Sequence, residues 1–124
     1  MKTIKKLPEA ELEIMLVVWD AKEAVTSEYI MARLNKDWTR PTLLKLLTRL
    51  TERGFLRCEK DGRHNIYTIL VPREAYVQEA SGTFLKKLHH NSLTSLVASL
   101  YDSQKVSKAD LDELKRFIEE AEDV

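Results

Sequence analysis

Between Trp38 and His64 the chain sets short hydroxyls and long cations at spacings that suit nucleic acid better than catalysis. At a helical period of 3.6 residues, Leu43, Leu46, Leu47 and Leu50 form one apolar stripe, and Pro41, Lys45, Thr48 and Glu52 fall opposite it, with Thr42 and Arg49 alongside. Threonine hydroxyls and basic side chains on an outward helix face can bond to base edges, because the major groove of duplex DNA is wide enough to admit a helix. On this pattern Thr39, Arg40, Thr42 and Lys45 are the base-reading candidates. Arg49, Arg53, Lys60, Arg63 and His64 suit phosphates, which fix position and make affinity salt-dependent without reporting sequence.

Other chemistries find little support. Catalysis needs a clustered nucleophile and base, a phosphate loop or a metal site. His89 and His90 are adjacent and diverge on a helix, while His64 lies far from both in the chain. Cys58 is the only cysteine, which rules out an internal disulfide and a cysteine metal cluster, and it reads as a buried, inert thiol. Gly54, Gly62 and Gly82 suit a helix end, a turn and a helix interruption rather than a phosphate cradle. Trp19 and Trp38 read as core or anchoring residues, since duplex DNA offers no unstacked base to receive them. No catalytic residue, metal or cofactor is expected.

The elements that must position the basic residues follow from periodicity. Pro8 opens a first helix over about residues 8–20, with Leu12, Met15, Leu16 and Trp19 on its buried side. Thr26 or Ser27 caps a short second helix carrying Ile30 and Leu34, and Thr39-Arg40-Pro41 opens the third, which runs to Gly54. Two strand-like runs, 55–60 and 64–70, flank Asp61-Gly62 and predict a hairpin with Arg63 at its tip. Three helices and then a basic-tipped hairpin make a winged helix-turn-helix. Val71-Pro72 marks a junction, so the expected division is a winged-helix domain at 1–71 and a helical module at 72–124, mainly α with a small β-hairpin.

The helical module shows three further stripes. Val77, Ala80, Phe84 and Leu88 predict a helix interrupted at Ser81-Gly82, and Leu93, Leu96, Val97 and Leu100 predict another behind a Ser92 cap. Ser107 with Asp110 predicts a capped third, bearing Leu111, Leu114, Phe117, Ile118 and Ala121. About 50 residues seldom bury enough surface alone, so Phe84, Leu88, Leu93, Leu96, Val97, Leu100, Leu111, Leu114 and Ile118 are expected to pack against a second subunit. A homodimer would set its two third helices about 34 Å apart and favour an inverted-repeat site.

Charge separates the same two halves. The 124 residues hold 20 basic and 20 acidic side chains, yet nine basic against four acidic fall between Arg33 and Arg63, and the balance reverses after Tyr101. Hydrophobic content of 44% with 32% charged residues is that of a globular protein. No apolar run approaches the roughly 20 residues of a membrane span, and Met1-Lys2-Thr3-Ile4-Lys5-Lys6 leads into no signal-like stretch, so a cytoplasmic location without a membrane partner is expected.

Several short motifs resemble the penicillinase-repressor family, which includes methicillin-resistance and copper-transport repressors of bacteria. They are Leu7-Pro8-Glu9-Ala10-Glu11-Leu12-Glu13-Ile14-Met15 with Trp19, Trp38 before the third helix, Thr42, and Arg49-Leu50. Gly54-Phe55-Leu56, Asp61-Gly62-Arg63, Tyr67-Thr68 and Phe84-Leu85 continue the match through nearly the whole chain. The resemblance implies a homodimeric repressor of transcription, with a winged helix followed by a helical dimerisation module. The family pattern of tryptophan, a small residue, proline, a basic residue and threonine is here Trp38-Thr39-Arg40-Pro41-Thr42, with the basic residue and proline exchanged. The cysteine-rich metal motif of copper-responsive members is missing. The asparagine–phenylalanine pair at which a peptidase cuts β-lactam-responsive members is replaced in Ala98-Ser99-Leu100-Tyr101. A regulatory peptidase and a small-molecule inducer stay open as further partners, as does a winged helix used for protein interaction instead of DNA.

Overall fold

A computed structural model describes residues 4–123; Met1-Lys2-Thr3, part of the run expected to lead into no signal-like stretch, and Val124 lie outside the described residues. The chain folds as α1 (Glu9–Ala21), β1 (Val25–Thr26), α2 (Ser27–Arg33), α3 (Arg40–Glu52), β2 (Leu56–Asp61), β3 (His64–Ile69), α4 (Arg73–His89), α5 (Leu93–Asp102) and α6 (Lys108–Glu122). It divides into two compact units, one running to Ala80 and the other from Ser81.

The first unit is three helices closed by a sheet. Pro8 precedes α1 as its N-cap, Thr26 Oγ1 accepts from Tyr29 N–H at 3.1 Å to start α2, and Thr39 Oγ1 accepts from Thr42 N–H to start α3. Ile14, Met15 and Val18 of α1, Ile30 of α2, and Leu43, Leu47 and Leu50 of α3 fill the interior together with Phe55, Leu56 and Tyr67. The buried side of α1 is turned from the expected one: Leu16 is 46% exposed, and Ile14 and Val18 take its place beside Met15 and Trp19. That helix is apolar on more than one side, so spacing alone leaves its rotation open.

The hairpin gains a third strand. β1 pairs antiparallel with β3, Val25 opposite Tyr67 and Thr26 opposite Ile66, giving the order β1-β3-β2. A two-residue strand is too short to alternate, which is why the sequence showed no sign of it. Cys58, expected to be buried, is exposed on β2 opposite Tyr67; only Leu56 of that strand is buried.

Packing carries the first unit past the expected Val71-Pro72 junction. Tyr76 of α4 is buried, its hydroxyl accepts from Leu7 N–H at 2.9 Å, and its ring lies 5.5 Å from Trp19 and 5.7 Å from Phe55. Trp19 Nε1 donates to the Val71 carbonyl at 2.9 Å. Both anchors bind the chain around Pro72 to α1, which a search for turn residues does not detect.

The second unit is helical. α4 runs unbroken through Ser81-Gly82, against the expected interruption: Gly82 keeps a negative φ, and a single glycine costs a helix only about 1 kcal/mol. Ser92 Oγ accepts from Ser95 N–H at 3.0 Å to cap α5. At α6, Ser107 Oγ accepts from Asp110 N–H at 3.1 Å while Ser107 N–H donates to Asp110 Oδ2 at 2.7 Å, a reciprocal capping box.

Candidate nucleic-acid interface

Helix α3 turns its leucines inward and its polar residues outward. Leu43, Leu46, Leu47 and Leu50 are all buried, whereas Arg40, Pro41, Thr42, Lys45, Thr48 and Arg49 are exposed along the other side. Thr48 Oγ1 donates to the Leu44 carbonyl at 2.9 Å, which keeps that side chain close to the helix and leaves the long side chains of Lys45 and Arg49 to project.

The start of α3 gives different roles to neighbouring candidates. Thr39 is the N-cap, and its Oγ1 lies 3.1 Å from Thr42 Oγ1, so the two hydroxyls share one hydrogen bond at the helix end and keep further acceptor capacity. Arg40 is the first helical residue even though a proline follows it, and Pro41 occupies the next position, where a missing N–H costs no hydrogen bond. The exchange of basic residue and proline therefore leaves Arg40 on the first turn.

The wing is a tight hairpin. Asp61 and His64 are its last pair, and Gly62 adopts φ +64°, a left-handed conformation that glycine takes without penalty and that brings Arg63 to the tip. Lys60, Arg63 and His64 are exposed, and Arg57 is occupied by Glu59 on the same strand at 2.8 Å.

Two acidic residues that sequence reasoning passed over reshape the set. Glu11 is 1% exposed and accepts from Arg53 Nε at 2.7 Å, so the fold engages Arg53 through that nitrogen, while the side chain stays 41% exposed. Glu28, in the first turn of α2, places Oε1 at 3.4 Å from the Arg40 guanidinium and 3.4 Å from His64 Nδ1. Its own backbone N–H, helped by His64 and Arg40, holds the Glu28 carboxyl below the usual carboxylate range despite some opposing desolvation. No motif marks Glu28; only the folding of α2 against β3 brings it to the wing.

The expected dimer residues form their own surface in the second unit. Leu93, Val97, Leu111, Leu114 and Ile118, with Thr94, Ala98 and Tyr101, line a largely apolar groove of about 340 Å³ between α5 and α6. Leu96 and Leu100 are half-buried, while Phe84 and Leu88 of α4 are exposed, Leu88 at 63%. Among the described residues no three His, Cys, Asp or Glu side chains gather as a metal site, and no helix is long and apolar enough to cross a membrane.

Comparison with known proteins gives consistent matches. A family model described as penicillinase repressor matches residues 7–120. A penicillinase repressor of Bacillus licheniformis is 31% identical over 122 residues, covering 97% of this chain and 94% of the relative. The methicillin resistance regulatory protein MecI of Staphylococcus aureus is 28% identical over 114 residues, covering 91% of this chain and 93% of its own length. Among solved structures, the DNA binding domain of the repressor BlaI superimposes with a TM-score of 0.53 at 31% identity, over 61% of this chain and 94% of that one. Monomeric BlaI of B. licheniformis in complex with the blaP half-operator gives a TM-score of 0.51 at the same identity and the same coverage.

Proposed function

Because the chain belongs to the penicillinase-repressor family, we propose that it is a cytoplasmic transcriptional repressor, not an enzyme, that binds an inverted-repeat operator as a homodimer. One observation carries the reading: α3 buries its whole leucine stripe and presents Thr42, Lys45 and Arg49 as a continuous outward surface flanked by a basic wing tip. Such a surface fits a major groove with the wing on the adjoining backbone. Similarity to BlaI, solved with a half-operator, supports the same use here.

In this reading Thr42 and Lys45 meet base edges and Arg40 works from the first turn, while Arg49, Lys60, Arg63 and His64 meet phosphates. Thr39 contributes by capping α3, and Arg53 by bracing it. The apolar faces of α4, α5 and α6 join the two subunits, which is what aligns two reading helices with two half-sites. Release from DNA falls to a regulatory peptidase or a small-molecule inducer. Ala98-Ser99-Leu100-Tyr101 lies within α5, so a peptidase acting there must first unwind a helix.

Fluorescence anisotropy with labelled duplex tests the proposal. Affinity is expected to fall steeply between about 50 and 200 mM salt, and Arg63→Ala to weaken binding to every duplex alike while reducing the salt slope by about one. Salt-independent binding, or an Arg63→Ala variant that binds as well as the parent, overturns it.

A further inference from the structure

The face that presents α3 and the wing also carries a carboxylate for which the DNA reading has no use. Glu28 offers one oxygen, Oε1, at 3.4 Å to both the Arg40 guanidinium of the reading helix and the His64 ring of the wing. Its other oxygen, Oε2, accepts from the hydroxyl of buried Ser27 at 3.3 Å. The carboxylate is thus steadied from α2 and presented to two donors that belong to two different elements. A DNA phosphate would offer those donors the same kind of ligand, an anionic oxygen.

We infer that Glu28 sets specificity as an internal stand-in for phosphate, holding Arg40 and His64 against duplexes that offer only phosphates; this rests on the DNA-binding reading above. Any duplex that takes Arg40 or His64 must break their contact with Glu28 and then lie beside a like charge. A random duplex is held by phosphate contacts alone, so it meets that cost in full. An operator is held also by base contacts from α3, which can form with Arg40 still on Glu28, so it escapes part of the cost. Glu28 therefore suppresses background binding more than operator binding, a discrimination built from repulsion as well as attraction.

Glu28→Gln keeps the size of the side chain and one acceptor oxygen for Ser27, and it removes the charge and the acceptor that faces Arg40 and His64. The probes are a duplex of about 30 base pairs, long enough for two half-sites, recovered by selecting genomic fragments, and the same duplex shuffled. The variant is expected to bind the shuffled duplex about three- to tenfold more tightly at about 50 mM salt, with a salt slope steeper by about one, and to gain less on the selected duplex. In an Arg40→Gln background the gain should shrink, since half of what Glu28 occupies is gone. If Glu28→Gln changes neither duplex while Arg63→Ala weakens both, the role of Glu28 is wrong and the DNA reading stands. Loss of the selected duplex alone would mean that the carboxylate reads a base, which also overturns the inference. Should Arg63→Ala affect neither duplex, the DNA reading fails and takes this inference with it.

Discussion

Arg53 Nε donates to Glu11 Oε1 at 2.7 Å and so ties the C-terminal end of α3 to the first turn of α1. The two partners are unequal: Glu11 is 1% exposed, whereas the Arg53 side chain is 41% exposed. Removing Arg53 strands a buried carboxylate, while removing the Glu11 charge leaves an arginine that water can reach. Arg53→Ala should therefore cost about 2–3 kcal/mol, and Glu11→Gln, which keeps an acceptor in place, about 1 kcal/mol. Urea denaturation at constant m-value measures both. The same Arg53→Ala protein should keep the salt slope of the parent on duplex DNA, since that guanidinium already has its anion; a slope flattened as much as by Arg63→Ala would restore Arg53 to the phosphate set.

Lys45 lies in the second turn of α3 and projects from the side opposite buried Leu43 and Leu47. A lysine there can reach a guanine edge, and truncating such a contact costs about 1–3 kcal/mol and relaxes preference at one base position. Lys45→Ala should then lower affinity for a selected operator and broaden the set of sequences recovered in a repeat selection, with no change in the urea midpoint. A uniform loss across all duplexes would instead make Lys45 a phosphate contact.

What the sequence made legible was whatever repeats at a regular interval. The leucines of α3 recur at helical spacing, and the strands around Asp61-Gly62 alternate or end on turn residues, so the reading helix and the wing could be placed in advance. Contacts between residues distant in the chain leave no such trace. Glu11 with Arg53, Glu28 with His64, and Trp19 with the Val71 carbonyl are joined only by tertiary packing. Arg53 and Arg40 therefore looked like free cations, and the capping of α3 by Thr39 went unnoticed beside its candidacy as a base reader. Cys58 was misplaced for a related reason: it shares a sheet face with Leu56 and Tyr67, but the core reaches only the start of β2 and leaves the strand exposed beyond Leu56.

Leu88, Phe117 and Ile118 expose apolar surface that a single chain does not cover. If a second copy covers it, the protein should sediment as a dimer at micromolar concentration, and a charge placed in that surface should be expelled from the interface at a cost of several kcal/mol. Ile118→Asp is expected to yield a monomer that still binds a half-site duplex, while its affinity for a full operator falls by about 10²-fold or more because the second half-site no longer benefits from linkage. An Ile118→Asp variant that stays dimeric would remove this face from the interface.

Asp110 connects the stability of α6 to acidity. The Ser107 backbone N–H, followed by the Ser107 hydroxyl, donates to its carboxylate and holds its ionisation below the usual value of 3.8. A carboxyl depressed by folding contributes stability that is fully present above its unfolded value and is lost as pH falls through the lower folded one. Protonation removes the negative charge that the two donors and the positive end of the helix dipole favour, so the first turn of α6 should fray in acid. Other carboxylates titrate over the same range, and the comparison with Asp110→Asn isolates this one, because asparagine keeps an acceptor and does not ionise. Circular dichroism should show the parent more helical than Asp110→Asn above about pH 5, with the difference closing as the pH drops below the usual carboxylate value. A difference that stayed constant down to the acid limit would mean that the capping box works by hydrogen-bond geometry without help from the charge.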